Sequence, residues 1–169
     1  MSFVIWLTGI PCSGKTTISK KLAEKIPNLA ILDGDELREW LSPKDFSKNE
    51  IIKHNKKVAH LAKLLVEHSV PVCVALISPY HENRQNARQI VDNSNFAEVY
   101  LKCSLDICEI RDVKGMYKKA KAGLIKNFIG LDNRYEVPKN PDLVIDTKKL
   151  TVEKSVKKIL KYLKQQKFM

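Results

Sequence analysis

The chain has 169 residues, 44% of them hydrophobic, with 30 Lys and Arg against 19 Asp and Glu for a formal net charge of +11. That length and apolar share suit one globular domain over residues 1–169 and argue against disorder, and no apolar run approaches the roughly 18–20 residues of a membrane span. The lysines are scattered along the whole chain, with the densest group, Lys148 to Lys167, on a terminal amphipathic helix that reads as a solvated face, and the short apolar stretch after Met1 has no basic region before it, so the expectation is a cytoplasmic protein that binds neither membrane nor nucleic acid.

The apolar run Phe3–Thr8 predicts a first strand and Lys15–Ile26 a first helix. Between them, Gly9-Ile10-Pro11-Cys12-Ser13-Gly14-Lys15-Thr16 fits the pattern G-x-x-x-x-G-K-[ST] in the strand-to-helix context that a phosphate loop requires. The glycines let backbone amides wrap phosphate oxygens, and the helix N-terminus adds partial positive charge. Gly9, Cys12, Ser13, Gly14, Lys15, Thr16 and Thr17 are the expected ATP-binding set, with Lys15 reaching the β- and γ-phosphates and Thr16 ligating Mg²⁺.

A second strand, Ala30–Leu32, leads into Asp33-Gly34-Asp35 and a helix Asp35–Leu41. Two carboxylates after a parallel strand stand at the edge where such sheets bind ligands. Asp35 is expected to take the proton of an acceptor hydroxyl and to share Mg²⁺ with Thr16, and Asp33 to line the acceptor site; either carboxylate can also cap the following helix. Arg38, three residues beyond Asp35, shares its helix face and suits anionic substrate oxygens.

A long helix is expected over Asn49–His68; its three histidines, His54, His60 and His68, include no i, i+4 pair of the kind that binds metal. Next come a strand at Val70–Ile77, a polar helix near Asn83–Asp92, a strand at Phe96–Leu101, a helix at Leu105–Ile110, a strand at Leu143–Ile145 and a closing helix at Val152–Leu163. Continuous apolar strands separated by helices predict a parallel sheet covered on both faces, hence a three-layer α/β fold of the P-loop type. The stretch Asp112–Asn140, rich in glycine and charge, is too long for an ordinary connection and reads as a lid. Arg111, Lys114, Lys118 and Lys119 gather at its start, where they can neutralise a transferring phosphate. Phe46 and Phe128 are candidate base-stacking surfaces. The four cysteines, Cys12, Cys73, Cys103 and Cys108, form no C-x-x-C pair and read as reduced thiols.

Taken together, these segments resemble the adenylyl-sulfate (APS) kinase family, whose members transfer the γ-phosphate of ATP to the ribose 3′-hydroxyl of a nucleotide. The resemblance rests on Ile5-Trp6-Leu7-Thr8-Gly9 with the phosphate loop, Leu32-Asp33-Gly34-Asp35, Arg38, Ile77-Ser78-Pro79-Tyr80, and Arg111-Asp112-Val113-Lys114-Gly115-Met116-Tyr117-Lys118-Lys119-Ala120. It continues through Gly123, Phe128, Gly130, Asp132, Tyr135, Glu136 and Pro138. By that resemblance Asp35 orients the 3′-hydroxyl, Arg38 contacts the acceptor, Phe46 and Phe128 sandwich its base, Ser78 and Lys118 complete the acceptor site, and Arg111 and Lys114 serve ATP. It also implies Mg²⁺ and a homodimer.

The departures concern the acceptor. Where the family shows an acidic residue, an arginine and an asparagine after Phe46-Ser47, this chain has Glu50, Ile51 and His54. Loss of a guanidinium beside an anion removes a bidentate contact, which points away from a sulfate terminus and toward cytidine diphosphoramidate, the acceptor of a capsule-synthesis variant of the family. Authentic adenylyl-sulfate kinase is the alternative, and a non-enzymatic nucleotide switch a remote one. Pro11-Cys12 replaces Ser-Gly and Lys121 an arginine.

Overall fold

The computed structural model describes residues 2–41 and 46–169. Five parallel strands form one sheet in the order β2-β3-β1-β4-β5: β1 Val4–Thr8, β2 Ala30–Asp33, β3 Val72–Ala75, β4 Phe96–Lys102 and β5 Leu143–Asp146. The helices between them are α1 Lys15–Ala23, α2 Gly34–Leu41, α3 Lys48–Glu67, α4 His81–Val91, α5 Leu105–Arg111, α6 Met116–Lys121 and α7 Val152–Gln165. This is the three-layer α/β arrangement that the alternating pattern predicts.

Burial follows from that layering. Every residue of β1 and β3 is buried, because helices cover both faces of the central strands. One core holds Ile5, Leu7, Ile18, Leu22, Ile159 and Leu163 between the sheet and the α1/α7 layer. The other holds Val4, Trp6, Val58, Ala62, Val74 and Ala87 beneath α3 and α4. Alternating side chains of β1 therefore feed opposite cores, as a period of two demands.

All strands being parallel, their C-terminal ends share one edge. Thr8, Asp33, Ala75, Lys102 and Asp146 end the five strands, so the loops that follow them converge there. Several boundaries shift from the expected ones: β3 stops at Ala75 rather than Ile77, and α1 at Ala23 rather than Ile26. Val70 stays outside the ladder because its N–H donates to the Leu65 carbonyl at 2.9 Å, and Pro71 after it has no N–H to add.

Candidate active site

The phosphate loop is shaped by its small residues. A Cβ on Gly9 would lie 2.8 Å from the Leu101 carbonyl oxygen, so only glycine lets β1 and β4 close at that corner. Gly14, at φ 102°, turns the chain into α1. Ser13 is buried, and Thr147, after β5, donates to its carbonyl at 3.0 Å. Arg111 in turn donates to the Thr147 carbonyl at 2.6 Å and lies 3.6 Å from Cys103 Sγ. The ATP-side candidates are thus joined through Thr147, a residue that the sequence pattern does not single out.

Lys15 folds along the loop, its Nζ donating to the carbonyls of Gly9 at 2.8 Å and Ile10 at 2.9 Å. Part of its stem reaches solvent, but the ammonium is enclosed, and burial lowers its pKa to about 8. Thr16 and Thr17 are exposed at the start of α1.

Thr16 Oγ1 donates to Asp33 Oδ2 at 2.7 Å, and the other oxygen of Asp33 accepts from Asp35 N at 3.0 Å. The carboxylate on the Thr16 hydroxyl is therefore Asp33 rather than Asp35. The reason is local: the Asp33 side chain bridges back over the turn to both neighbours, whereas Asp35, within α2, projects outward with a 70% exposed side chain. Lys114 from the lid meets it there, Nζ to Oδ2 at 2.5 Å.

The acceptor-side candidates divide. The Arg38 guanidinium lies over the Phe46 ring at 4.6 Å, which places both at one corner after α2. Lys118 is exposed, and its backbone N–H donates to Asp112 Oδ2 at 3.1 Å, where Asp112 caps α6. Ser78, expected on the acceptor, is buried at the end of the β3 loop: it receives Trp6 Nε1 at 2.9 Å and donates to Asn55 Oδ1 at 2.6 Å. Its hydroxyl serves the scaffold. Phe128 is also enclosed, packed edge-on to Tyr117 with ring centroids 4.9 Å apart, in a small core with Cys108 and Ala120. Ile51 and His54 are 4% and 0% exposed on α3, and burial with Arg38 and Lys57 nearby lowers the histidine to about 4, so it is neutral at pH 7.

The segment read as a lid includes the helix α6. Tyr117 of α6 donates to the Pro11 carbonyl at 2.9 Å, which ties the lid's first half to the phosphate loop. The far end is held by Arg84, 1% exposed, which donates to the Ser78 carbonyl and the Glu136 carbonyl, both at 2.7 Å, and pairs with Glu98 at 3.1 Å. Tyr135 stacks on Tyr100 and shares a 2.9 Å hydrogen bond with Thr8 Oγ1. Between the lid and the sheet edge opens a cavity of about 440 Å³, lined by Ile10, Tyr100, Leu105, Gly130, Asp132 and Tyr135. The signal for this clasp was Glu98, a charge inside an apolar strand that needs a buried partner; Arg84 gave none, because a polar helix reads as a solvated one.

Tyr135→Phe tests the clasp. It removes one hydrogen bond to Thr8 and leaves the ring stacking intact, so unfolding free energy is expected to fall by about 1 kcal/mol in urea titrations. An unchanged midpoint would mean that the hydroxyl pair contributes nothing.

With the geometry in place, comparison with known proteins is informative. Residues 1–146 match the family model described as adenylylsulphate kinase. The chain is 43% identical to a probable adenylyl-sulfate kinase of Halalkalibacterium halodurans, covering 98% of this chain and 84% of that protein. It is 40% identical to the adenylyl-sulfate kinase of Oceanobacillus iheyensis, over 99% of this chain and 87% of the relative. Among solved structures, the APS kinase of Mycobacterium tuberculosis in complex with AMPPNP and APS superposes with a TM-score of 0.91 at 33% identity, covering 96% of this chain and 98% of that one.

These relatives overturn the cytidine diphosphoramidate expectation, since the similar curated proteins are adenylyl-sulfate kinases. That expectation treated Ile51 and His54 as a remade anion contact, yet both side chains are buried within the face of α3. That burial is a property the sequence alone could not give.

Proposed function

Because this chain belongs to the adenylylsulphate kinase family, we propose that it phosphorylates the ribose 3′-hydroxyl of adenylyl sulfate with ATP. The family identity makes it an ATP-dependent phosphotransferase acting on a hydroxyl group. The observation that supports transfer chemistry is the polar chain Thr16–Asp33–Asp35–Lys114, which links phosphate loop, strand end and lid in one line. The adenylyl sulfate acceptor rests on the similar adenylyl-sulfate kinases.

In this reading the loop amides and Lys15 hold the β- and γ-phosphates, and the enclosed ammonium stabilises charge that builds on the oxygens during transfer. Thr16 and Asp33 present hard oxygen donors on one point, which fits Mg²⁺ bound by few protein groups together with phosphate and water. When bound, the ion would neutralise charge on the phosphates. Asp35 accepts the proton of the 3′-hydroxyl once Lys114 turns from it to phosphate, and Arg38 with Phe46 receives the acceptor nucleotide. Arg111, fixed by Thr147, lies on the ATP side.

The test is an assay of purified protein with ATP, Mg²⁺ and adenylyl sulfate, with product mass and phosphorus NMR to locate the new phosphate. ADP release that requires adenylyl sulfate and gives the 3′-phosphorylated product is expected. ADP release at the same rate without acceptor would overturn the reading.

A pH dependence follows from Lys15. Its pKa of about 8 is depressed by burial, and a phosphate anion beside it raises it again, so ATP binding above pH 8 must take up a proton. The KM for ATP is expected to rise by about tenfold between pH 7 and 9 as the free enzyme's ammonium deprotonates. A KM that stays flat across this range would show that Lys15 keeps its proton throughout.

A further inference from the structure

A second feature lies on the layer formed by α1 and α7. A groove enclosing about 520 Å³ runs between these helices, with Val156 and Leu160 among its lining residues and Lys25, Lys157, Lys161 and Lys164 around it. Lys157, Lys161 and Lys164 fall at i, i+4 and i+7 of α7, so they share one face. Among the described residues none of these four lysines has a carboxylate within ion-pair distance, whereas Lys53, Lys63 and Lys121 on other helices each do. The acidic neighbours are few: Glu24 pairs with Lys21 at 2.6 Å, and Glu153 lies at the groove's end.

Like charges at i, i+4 repel, and here they flank an apolar floor rather than open solvent. Such an arrangement is complementary to carboxylates flanking an apolar ridge. We propose that the α1/α7 groove docks an acidic amphipathic helix of a partner protein, its apolar side chains on half-buried Leu160 and the aliphatic lysine stems above buried Val156, and its carboxylates on the lysine rim. A helix presents such a ridge at i, i+3 and i+4 spacing and fits a channel between two helices. A flat anionic membrane would meet the raised lysines and leave the floor uncovered, and a polynucleotide has charge but no apolar ridge. Lys21 lies in the last turn of α1 and Lys25 just beyond its end, away from Lys15 at its start, so the groove is separate from the phosphate loop and the proposal does not rest on the acceptor assigned above.

The probe is a fluorescent synthetic helix with leucine on one face and glutamate on both flanks, followed by anisotropy against the whole chain. Saturable binding is expected that weakens by about tenfold or more in Lys157→Glu/Lys161→Glu, and likewise when the same peptide residues are scrambled off one face. Equal binding of the scrambled peptide would mean charge attraction alone and would overturn the proposal. So would tighter capture of phosphatidylglycerol vesicles or polyuridylate than of the peptide, or no binding by the wild-type chain. Replacing the peptide's glutamates by glutamine supplies the same contrast without altering the protein, and it should weaken binding by a similar factor. ADP formation by the double variant should match wild type, which separates loss of docking from loss of fold.

Discussion

Lys15→Ala is expected to lower turnover by roughly 10²-fold or more, the loss that follows when a group stabilising transferred charge is deleted from a water-poor site. The ammonium is enclosed by the loop carbonyls of Gly9 and Ile10 rather than extended into solvent, as its loop position suggests. Its depressed pKa shows that the fold disfavours that buried charge, so deletion relieves a desolvation cost while it loses two hydrogen bonds. The two effects oppose each other, and the melting temperature should change little. Stopped-flow single turnover and thermal melting check both halves. Turnover within about threefold of wild type would remove Lys15 from the chemistry, because such a ratio corresponds to less than about 1 kcal/mol of barrier.

The parts of the site that are local in sequence were legible before the structure. The phosphate loop could be read because its spacing, its strand and its helix are all contiguous, and the alternation of apolar runs with helices gave a parallel sheet whose ends converge. What was not legible depends on contacts between distant segments. Asp33 and Asp35 are equivalent on paper, and only the path of the turn shows that one bonds to Thr16 and the other meets Lys114. Ser78 and Phe128 belong to segments that resemble a nucleotide-binding family, yet the structure places one hydroxyl between Trp6 and Asn55 and one ring against Tyr117. Arg84 joins residues as far apart as Ser78, Glu98 and Glu136, and no helical periodicity marks a buried guanidinium. Ile51 and His54 misled for the same reason: the motif departure is visible in the sequence, but the burial of both side chains on α3 is not.

Asp35→Asn is expected to slow the phosphoryl-transfer step by roughly 10²-fold or more with little change in the KM for ATP, because the amide keeps the shape but cannot take the hydroxyl proton. Its exposed side chain contributes little to the fold, so melting should be unaffected. Asp33→Asn should behave differently. Asp33 is 8% exposed and accepts from both Thr16 and the Asp35 amide; an asparagine keeps the amide bond through its oxygen and turns its NH₂ to the Thr16 hydroxyl, whose oxygen then accepts. Two hydrogen bonds to a charged acceptor become neutral ones at a cost of about 1 kcal/mol, which should lower the melting temperature slightly. The same change removes the carboxylate beside Thr16, so the Mg²⁺ concentration needed for half-maximal rate should rise while the rate at saturation falls less than in Asp35→Asn. The two variants thus separate along three measurements: single-turnover rate, Mg²⁺ requirement and melting. A larger fall in the saturated single-turnover rate for Asp33→Asn, with normal Mg²⁺ dependence, would exchange the two roles and make Asp33 the group that acts on the hydroxyl.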